Sequence, residues 1–473
     1  MLSCFIRTTQ NIRYLRNEAS TVTGIRKSTL HKFVVAQGDT GLEMSDQIKN
    51  IDIKVAIIAD NASTQFGGEA ILPFHYYTRL KARGLTTFLV TNERCKEDLD
   101  KKIGTDTNII FVDDSVINKI FWRLCHLIPS RIFDATLAQV TRLITQKRQK
   151  NILKKLIEND QINIIHQPTP VSPREPSLLY NMRVPVIIGP MNGSINFPDG
   201  FNSRESFFTK KAIQAGRSIS KFSNLIMPGK RKASVLLAAN SRTLNALKEH
   251  KNTSCKLMVE NGVDLNLWKP KNYDTSFIDN ERCNFVFSGR LVGWKAVDIL
   301  LKCFKKALIE NSDITLTIIG SGPEEPSLRQ LAKELDIYSE NIFTCSKVHF
   351  TGWQEQSIIV KIFTQCDVFV LPSLMECGGA VVLEAMASAL PVIASNWGGP
   401  QDYINQDTGI LVPVDNESTF TNNIYKAMCE LAKDPDKRKL LGTNGRTVVE
   451  KHYDWNKKID MITDIYLEVI EQS

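Results

Sequence analysis

The sequence alternates short apolar runs with segments of helical length, and it does so in two separate series. The first series of apolar runs occupies residues 54–59, 86–90, 109–112, 162–165 and 184–188. The second series begins near residue 284, with runs at 285–288, 314–319, 348–350, 368–371 and 392–394. Short, continuously apolar runs separated by helices are typical of parallel strands covered on both faces. The pattern therefore predicts an α/β fold with two doubly wound, Rossmann-like domains.

Two such domains in tandem would face each other across a central cleft. The chain has 473 residues, which suits two domains of roughly 200 residues each better than one core. We predict a flexible extension at 1–50, a first domain at 51–265, a second domain at 278–450 and a last helix at 451–473. Ligands of doubly wound sheets bind outside the carboxyl ends of the strands. The facing loops should therefore form the active site.

The composition limits the classes of protein to which the chain can belong. Apolar residues make up 42% of the chain and charged residues 23%, the balance of a soluble globular protein. The sequence has no uninterrupted run of about 18 apolar residues, so no membrane-spanning helix is predicted. Its ten cysteines form no C-x-x-C pair and no cluster at zinc spacing. We therefore expect reduced thiols in a cytoplasmic protein.

The net charge of +8 is concentrated in one segment. Residues 116–157 hold nine Lys and Arg residues and a single acid, Asp134, with apolar residues at roughly helical intervals among them. One interpretation is a helix pair with a solvated basic face. The other is peripheral contact with an anionic membrane surface. Because no nucleic-acid-binding motif accompanies the charge, we predict no nucleic-acid partner.

One strand-to-helix turn shows the clearest sign of a ligand site. A predicted strand runs through Gly378 and Gly379 into a predicted helix at 380–389. Because glycine lacks a Cβ, the backbone can approach a ligand closely here. The amides of Ala380 and Val381 would be unpaired donors at a helix N-terminus, which favours an anion such as a diphosphate.

Two carboxylates flank this turn. Glu376 precedes it and would point into the cleft, whereas Glu384 lies about one turn into an otherwise apolar helix. A carboxylate on such a helix needs hydrogen-bond donors, and ribose hydroxyls could supply them. The alternative is that Glu384 is a partly exposed helix residue and Glu376 an ordinary loop acid.

This stretch resembles the donor loop of the retaining GT-B glycosyltransferases of family 4 (group 1), whose signature is two glutamates separated by seven residues. Glu376 and Glu384 have that spacing, and Leu390-Pro-Val-Ile-Ala fits the flanking pattern, although Ala389 stands where glycine is usual. The resemblance implies that Glu376 is a catalytic residue at the transferred sugar and that Glu384 binds the ribose. It also implies that the amides of 378–381 hold the sugar and diphosphate.

A second segment, 287–295, also runs off a predicted strand through glycines into a helix. Arg290 and Lys295 could neutralise a departing diphosphate, the first as a bidentate donor and the second as a point charge. Taken alone, they would be more ordinary as an exposed basic loop. Enzymes of family 4 carry an Arg and a Lys at this spacing, which favours the donor role, and Ala296 replaces the usual glycine.

The first domain offers three weaker matches. Residues 66–69, with Gly68, resemble the glycine loop that closes over the donor from the opposite side, although a glycine pair is also an ordinary turn. His166 follows the predicted strand 162–165 and becomes a catalytic candidate for contact with the donor sugar. Many family members have a His-x-His pair there, but this chain has Pro168. Residues 189–193 should contact the acceptor.

The resemblance spans about residues 52–470. It implies a nucleotide-sugar donor, a saccharide or glycolipid acceptor and a last helix that crosses back to the first domain. It also makes Trp353 a candidate for the base site. No Asp-x-Asp pair or His/Asp cluster follows a predicted strand, so we expect a metal-independent enzyme without a cofactor that retains the anomeric configuration.

Three alternatives remain at this point. A GT-B nucleotide-sugar epimerase would convert the donor without an acceptor. A dinucleotide-dependent oxidoreductase would need a G-x-G-x-x-G motif after a strand, which the sequence lacks. A non-catalytic sugar-binding descendant would not need Glu376, Glu384, Arg290 and Lys295 to be intact.

Overall fold

The computed structural model describes residues 51–114, 137–204, 207–247, 250, 253–270 and 282–473. The predicted extension at 1–50 lies outside these residues. The described chain forms two parallel sheets with helices packed on them, which confirms the predicted α/β class.

The first sheet has seven strands in the order β3-β2-β1-β4-β5-β6-β7. Its strands are β1 Lys54–Ile58, β2 Thr86–Asn92, β3 Ile109–Val112, β4 Ile164–Gln167, β5 Val186–Met191, β6 Val235–Ala238 and β7 Ser254–Leu257. Its described helices are α1 Ile71–Ala82, α2 Lys96–Ile103, α3 Leu137–Glu158, α4 Phe207–Ile226, α5 Gly229–Lys232 and α6 Ser241–Ala246. The strand order reverses between β1 and β4, and at such a switch point the loops part and leave a crevice.

The second sheet has six strands in the order β10-β9-β8-β11-β12-β13, with its switch point between β8 and β11. Its strands are β8 Cys283–Ser288, β9 Ile314–Ile319, β10 Val348–Gly352, β11 Val368–Leu371, β12 Val392–Ser395 and β13 Gly409–Val412. Its helices are α7 Val297–Glu310, α8 Glu325–Glu334, α9 Gln356–Phe363, α10 Ala380–Ala387, α11 Pro400–Tyr403, α12 Glu417–Lys433 and α13 Pro435–His452. The strands β9, β11 and β12 are fully buried, as expected for a sheet covered on both faces, whereas the edge strands β10 and β13 are partly half-buried.

The last helix, α14 (Trp455–Glu471), follows the second sheet but contacts elements of the first. Asp460 pairs with Arg83 at the end of α1, and Glu468 pairs with Lys256 in β7. The buried Tyr466 hydroxyl lies 2.6 Å from Nδ1 of His166 in β4. The helix therefore ties the two sheets together.

The basic segment predicted at 116–157 is described only from residue 137 onward. There, α3 buries Leu153 and Leu156 in the core of the first sheet, while Lys147, Lys154 and Lys155 are exposed. The described part of the segment is therefore a core helix with a solvated basic face. Of its described apolar residues, Leu153 and Leu156 are buried, whereas Val140 near the start of the helix is 44% exposed.

Two further features concern the thiols and the helices. Eight cysteines lie among the described residues, and all eight are free thiols. Among the helices of the described ranges, none combines the length and the apolar character needed to cross a bilayer.

Candidate functional site

The loops that follow β8 and β11 meet at the switch point of the second sheet. The first loop carries Lys295 in a short 3-10 turn, Gly293–Lys295, and the second carries Glu376. The Lys295 ammonium forms an ion pair with the Glu376 carboxylate, and the two side chains are only 14% and 15% exposed. Two residues 81 positions apart are thus brought together where doubly wound sheets bind ligands.

The glycine turn after Glu376 has the geometry that only glycine can supply. Gly379 has φ +70° and caps the N-terminus of α10. A Cβ on Gly378 would lie 2.1 Å from Oε1 of Glu260, so any side chain there would clash. The first amides of α10, those of Ala380 and Val381, have no partner within the helix, as at every helix start. The turn therefore presents an electropositive backbone close to the Lys295–Glu376 pair.

Glu384 lies in the second turn of α10, on the side of a cavity of about 330 Å³. Burial raises the pKa of its carboxyl group to about 7, and Nε2 of Gln356 donates to it over 3.3 Å. The cavity is also lined by Trp353 and by Thr64 from the first domain. A partly desolvated carboxylate with a single donor from Gln356 can accept further hydrogen bonds, which suits the hydroxyls of a ribose.

Glu376 lines a second and larger cavity of about 760 Å³. Arg174, Asn192 and Gly193 of the first domain line it as well, together with Trp294 of the second domain. The two glutamates therefore face different spaces. Glu384 borders the smaller cavity and Glu376 the larger, with the glycine turn between them.

The remaining predicted residues lie at the edge of the site. Arg290 is exposed in the loop after β8, near Lys295 in sequence but without its burial. Gly68 is exposed in the loop between β1 and α1 and has open space around it, whereas its neighbour Gly67 has φ +98° and needs to be glycine. The structure thus brings Lys295, Glu376 and the glycine turn together, and leaves Arg290 and Gly68 at the rim.

The position of His166 differs from the one predicted. It lies inside β4 rather than after the strand, and its side chain is fully buried. Nε2 donates to the carbonyl oxygen of Gly189 over 2.6 Å, so Nδ1 accepts from the hydroxyl of Tyr466, also over 2.6 Å. Both ring nitrogens are therefore engaged by the protein, and burial lowers the pKa of His166 to about 4. In this geometry His166 joins the first sheet to α14 and has no nitrogen left for a sugar.

Replacing His166 by alanine should therefore act on stability. The variant would leave a cavity and two buried polar groups without a partner, which should lower the free energy of unfolding by about 2–4 kcal/mol. Because His166 is buried and neutral, the wild-type protein should also lose stability as the pH falls from about 6.5 towards 4, and the variant less so. Urea unfolding over this pH range measures both effects, with His452→Ala, an exposed histidine, as the control. A fully stable His166→Ala protein that has lost only turnover would restore the catalytic interpretation.

Sequence reasoning missed a buried carboxylate beneath the glycine turn. Glu260 is 4% exposed, and its Oε1 accepts from the side-chain amides of Asn192 over 2.5 Å and Asn261 over 3.1 Å. The Asn192 amide also donates to the carbonyl oxygen of Cys377 over 2.9 Å. Burial raises the pKa of Glu260 and lowers that of nearby Lys458. The only sequence signal was the Asn-Gly pair that follows Glu260, which indicates a turn and says nothing of the carboxylate.

Within the described ranges, no three His, Cys, Asp or Glu side chains come together in a way that could hold a metal ion. The described polar groups of the site are instead an ammonium, two carboxylates and backbone amides. This set can bind an anion next to a sugar and compensate negative charge that develops on it.

Part of the chain is similar to known glycosyltransferases. Residues 269–448 match the family described as glycosyl transferases group 1. The GDP-mannose-dependent monoacylated alpha-(1-6)-phosphatidylinositol monomannoside mannosyltransferase of Corynebacterium glutamicum is 28% identical over 221 residues, which are 44% of this chain and 55% of that protein. The chain spans about half the length of the curated relatives it matches.

Solved structures extend the likeness over both sheets. Sucrose-phosphate synthase from Thermosynechococcus elongatus superposes with a TM-score of 0.63 at 19% identity, covering 89% of this chain and 99% of that one. HepE of Anabaena in complex with UDP and glucose gives a TM-score of 0.57 at 16% identity, covering 87% and 99%. These likenesses confirm the GT-B fold. The match over residues 269–448 makes the second domain similar to the group 1 glycosyl transferases, and the superpositions extend the likeness of fold to both sheets.

Proposed function

We propose that the protein transfers a sugar from a nucleotide-sugar donor to a saccharide or lipid-linked saccharide acceptor. The observation that carries this proposal is the ion pair of Lys295 with Glu376, set between two cavities and beside the glycine turn. The smaller cavity, bordered by Glu384, would take the nucleoside, and the larger one the acceptor. The transferred sugar would then lie between them, at Glu376.

The charges of the site suit the departure of a nucleoside diphosphate. As the glycosidic bond to the donor breaks, negative charge collects on the diphosphate. The ammonium of Lys295, the guanidinium of Arg290 and the amides of Ala380 and Val381 can compensate it without a metal ion. Lys295 would exchange its contact with Glu376 for the phosphate, which would free the Glu376 carboxylate to hold the sugar hydroxyls.

Retention of configuration is the stereochemical part of the proposal. The resemblance to family 4 implies retention, and no second carboxylate stands out in the sequence as a base for an inverting attack. We therefore favour attack of the acceptor on the same face from which the diphosphate leaves, with a donor phosphate oxygen taking the proton of the acceptor hydroxyl. The free thiols of the described residues suit a cytoplasmic protein.

The donor nucleotide is open, since one relative is GDP-mannose-dependent and one solved neighbour holds UDP. Purified protein should be incubated with UDP-, GDP- and ADP-sugars, with and without saccharide and glycolipid acceptors, and free nucleotide measured. We expect one nucleotide class to be released, and release to rise when the right acceptor is present. A change in the sugar without nucleotide release would instead indicate an epimerase. Binding of a donor or saccharide with neither change would indicate a sugar-binding descendant.

A further inference from the structure

Helix α4 presents an apolar face to solvent. Ile219, Phe222, Leu225 and Ile226 are between 54% and 63% exposed, and residues three, four and seven positions apart share one side of a helix. The other exposed large apolar side chains of the described residues are scattered over separate elements. Single exposed apolar residues are normal, whereas a contiguous apolar patch marks a surface that binds something.

The opposite face of α4 is fixed to the first domain. Ser220 donates to the carbonyl oxygen of Arg174, and Nδ2 of Asn224 donates to the same oxygen over 2.6 Å. Ile213 and Arg217 line the larger cavity, which we assign to the acceptor. The helix is thus anchored by one side, and its apolar side points away from that anchor.

The segment that contains α4 is basic. Residues 207–247 contain eight Lys and Arg residues and no Asp or Glu. Lys211 and Lys221 on α4, and Arg231 and Lys232 just after it, are exposed. Basic residues beside an exposed apolar helix face are the combination that binds anionic lipid, because the apolar side chains insert while the cations remain among the headgroups.

We propose that α4 lies on the surface of an anionic bilayer, with Ile219, Phe222 and Ile226 inserted at the boundary of headgroups and acyl chains. A second copy of the chain fits this surface less well. A symmetric dimer places the same patch on both sides, so the lysines would face lysines with no acid in the segment to pair with them.

With α4 on the bilayer, the lipid surface would lie directly beside the acceptor cavity. The same helix would touch lipid on one side and line the larger cavity on the other, so an acceptor carried on a lipid would reach the cavity from the membrane surface. This last step rests on the proposed function. The docking of α4 on lipid does not, because it depends only on the exposed face and its charge.

Flotation of the full chain with vesicles tests the docking. We expect binding to vesicles of phosphatidylcholine mixed with phosphatidylglycerol, weak binding to phosphatidylcholine alone, and loss of binding at high salt. Phe222→Asp should lower the partition coefficient at least about tenfold. Ile309→Asp, which changes an 85% exposed residue on α7 of the second domain, should leave it unchanged. Lys221→Glu should also weaken binding, with Lys305→Glu on α7 as its control.

Folding and turnover are followed separately. Circular dichroism must show that each variant is folded, and nucleotide release is measured with a water-soluble acceptor. Equal lipid binding by wild-type and Phe222→Asp proteins would overturn the proposal. So would a concentration-dependent dimer that Phe222→Asp abolishes in the absence of any vesicle binding, since the face would then join two chains. Vesicle binding without sugar transfer by any nucleotide-sugar would leave the docking intact and remove the proposed function.

Discussion

Alanine at Lys295 should lower kcat/KM for sugar transfer by at least about a hundredfold while the protein stays folded. The ammonium is 14% exposed and lies at the switch point of the second sheet, where it pairs with Glu376. Its proposed task is to compensate charge that appears only as the diphosphate leaves. An interaction that strengthens in the transition state acts mainly on kcat, so kcat should fall more than KM changes.

Two further variants are compared with Lys295→Ala, one expected to lose activity and one as a control. Glu376→Ala should show a similar loss, because it removes the carboxylate that we propose to hold the transferred sugar. Lys305→Ala on the exposed side of α7 should retain normal turnover. The two side chains are only 14% and 15% exposed, so removing one partner leaves a largely buried charge and should lower the free energy of unfolding by about 3 kcal/mol. Normal transfer by folded Lys295→Ala or Glu376→Ala protein would remove these residues from the site.

The sequence predicted the second sheet better than the first for a physical reason. The strands β9 and β11 were predicted at the positions they occupy, since both are short apolar runs buried on both faces. In the first sheet, β7 was missed because it carries polar residues and its residues are half-buried or exposed. Two other strands of only four residues, β6 in the first sheet and β13 in the second, were not predicted either. The end of β4 was placed at Ile165 because His166 is polar, yet the histidine is buried inside the strand.

The candidate site also combines features that depend on local sequence with features that depend on long-range contacts. The glycine turn and Glu384 could be predicted because their chemistry depends on local order along the chain. The contact of Lys295 with Glu376 depends on two loops meeting across 81 residues, so the sequence alone supplied the residues but not the pairing. Glu260 and Tyr466 could not be predicted at all, because each acquires its role only when distant segments fold against it. The outward face of α4 could not be predicted either, because the side of the helix that packs on the first domain is fixed by contacts with distant residues such as Arg174.

Glutamine at Glu384 should weaken nucleotide binding and at the same time stabilise the free protein. Burial raises the pKa of Glu384 from 4.5 to about 7, so the folded protein holds the proton more tightly than the unfolded chain. A group with a raised pKa favours the folded state fully at pH values below its unfolded pKa, and this advantage is lost as the pH rises through the folded value. At about pH 8 the buried carboxylate thus opposes folding, and a neutral isostere should raise the free energy of unfolding by up to roughly 3 kcal/mol.

Nucleotide binding should depend on pH in the direction opposite to stability. If the ionised carboxylate accepts hydrogen bonds from the ribose, the affinity for UDP or GDP should rise with pH up to a plateau above about 7. Glu384→Gln should bind about tenfold more weakly at the plateau, and its affinity should follow only the ionisation of the nucleotide's own phosphate. Calorimetric titration of both proteins across this range separates the two contributions, because the phosphate is common to both. A variant that gains stability but binds nucleotide as tightly as the wild type would show that the buried charge serves some purpose other than the ribose. A variant that loses both stability and nucleotide affinity would mean that Glu384 is a structural acceptor for Gln356, whose amide lies 3.3 Å away.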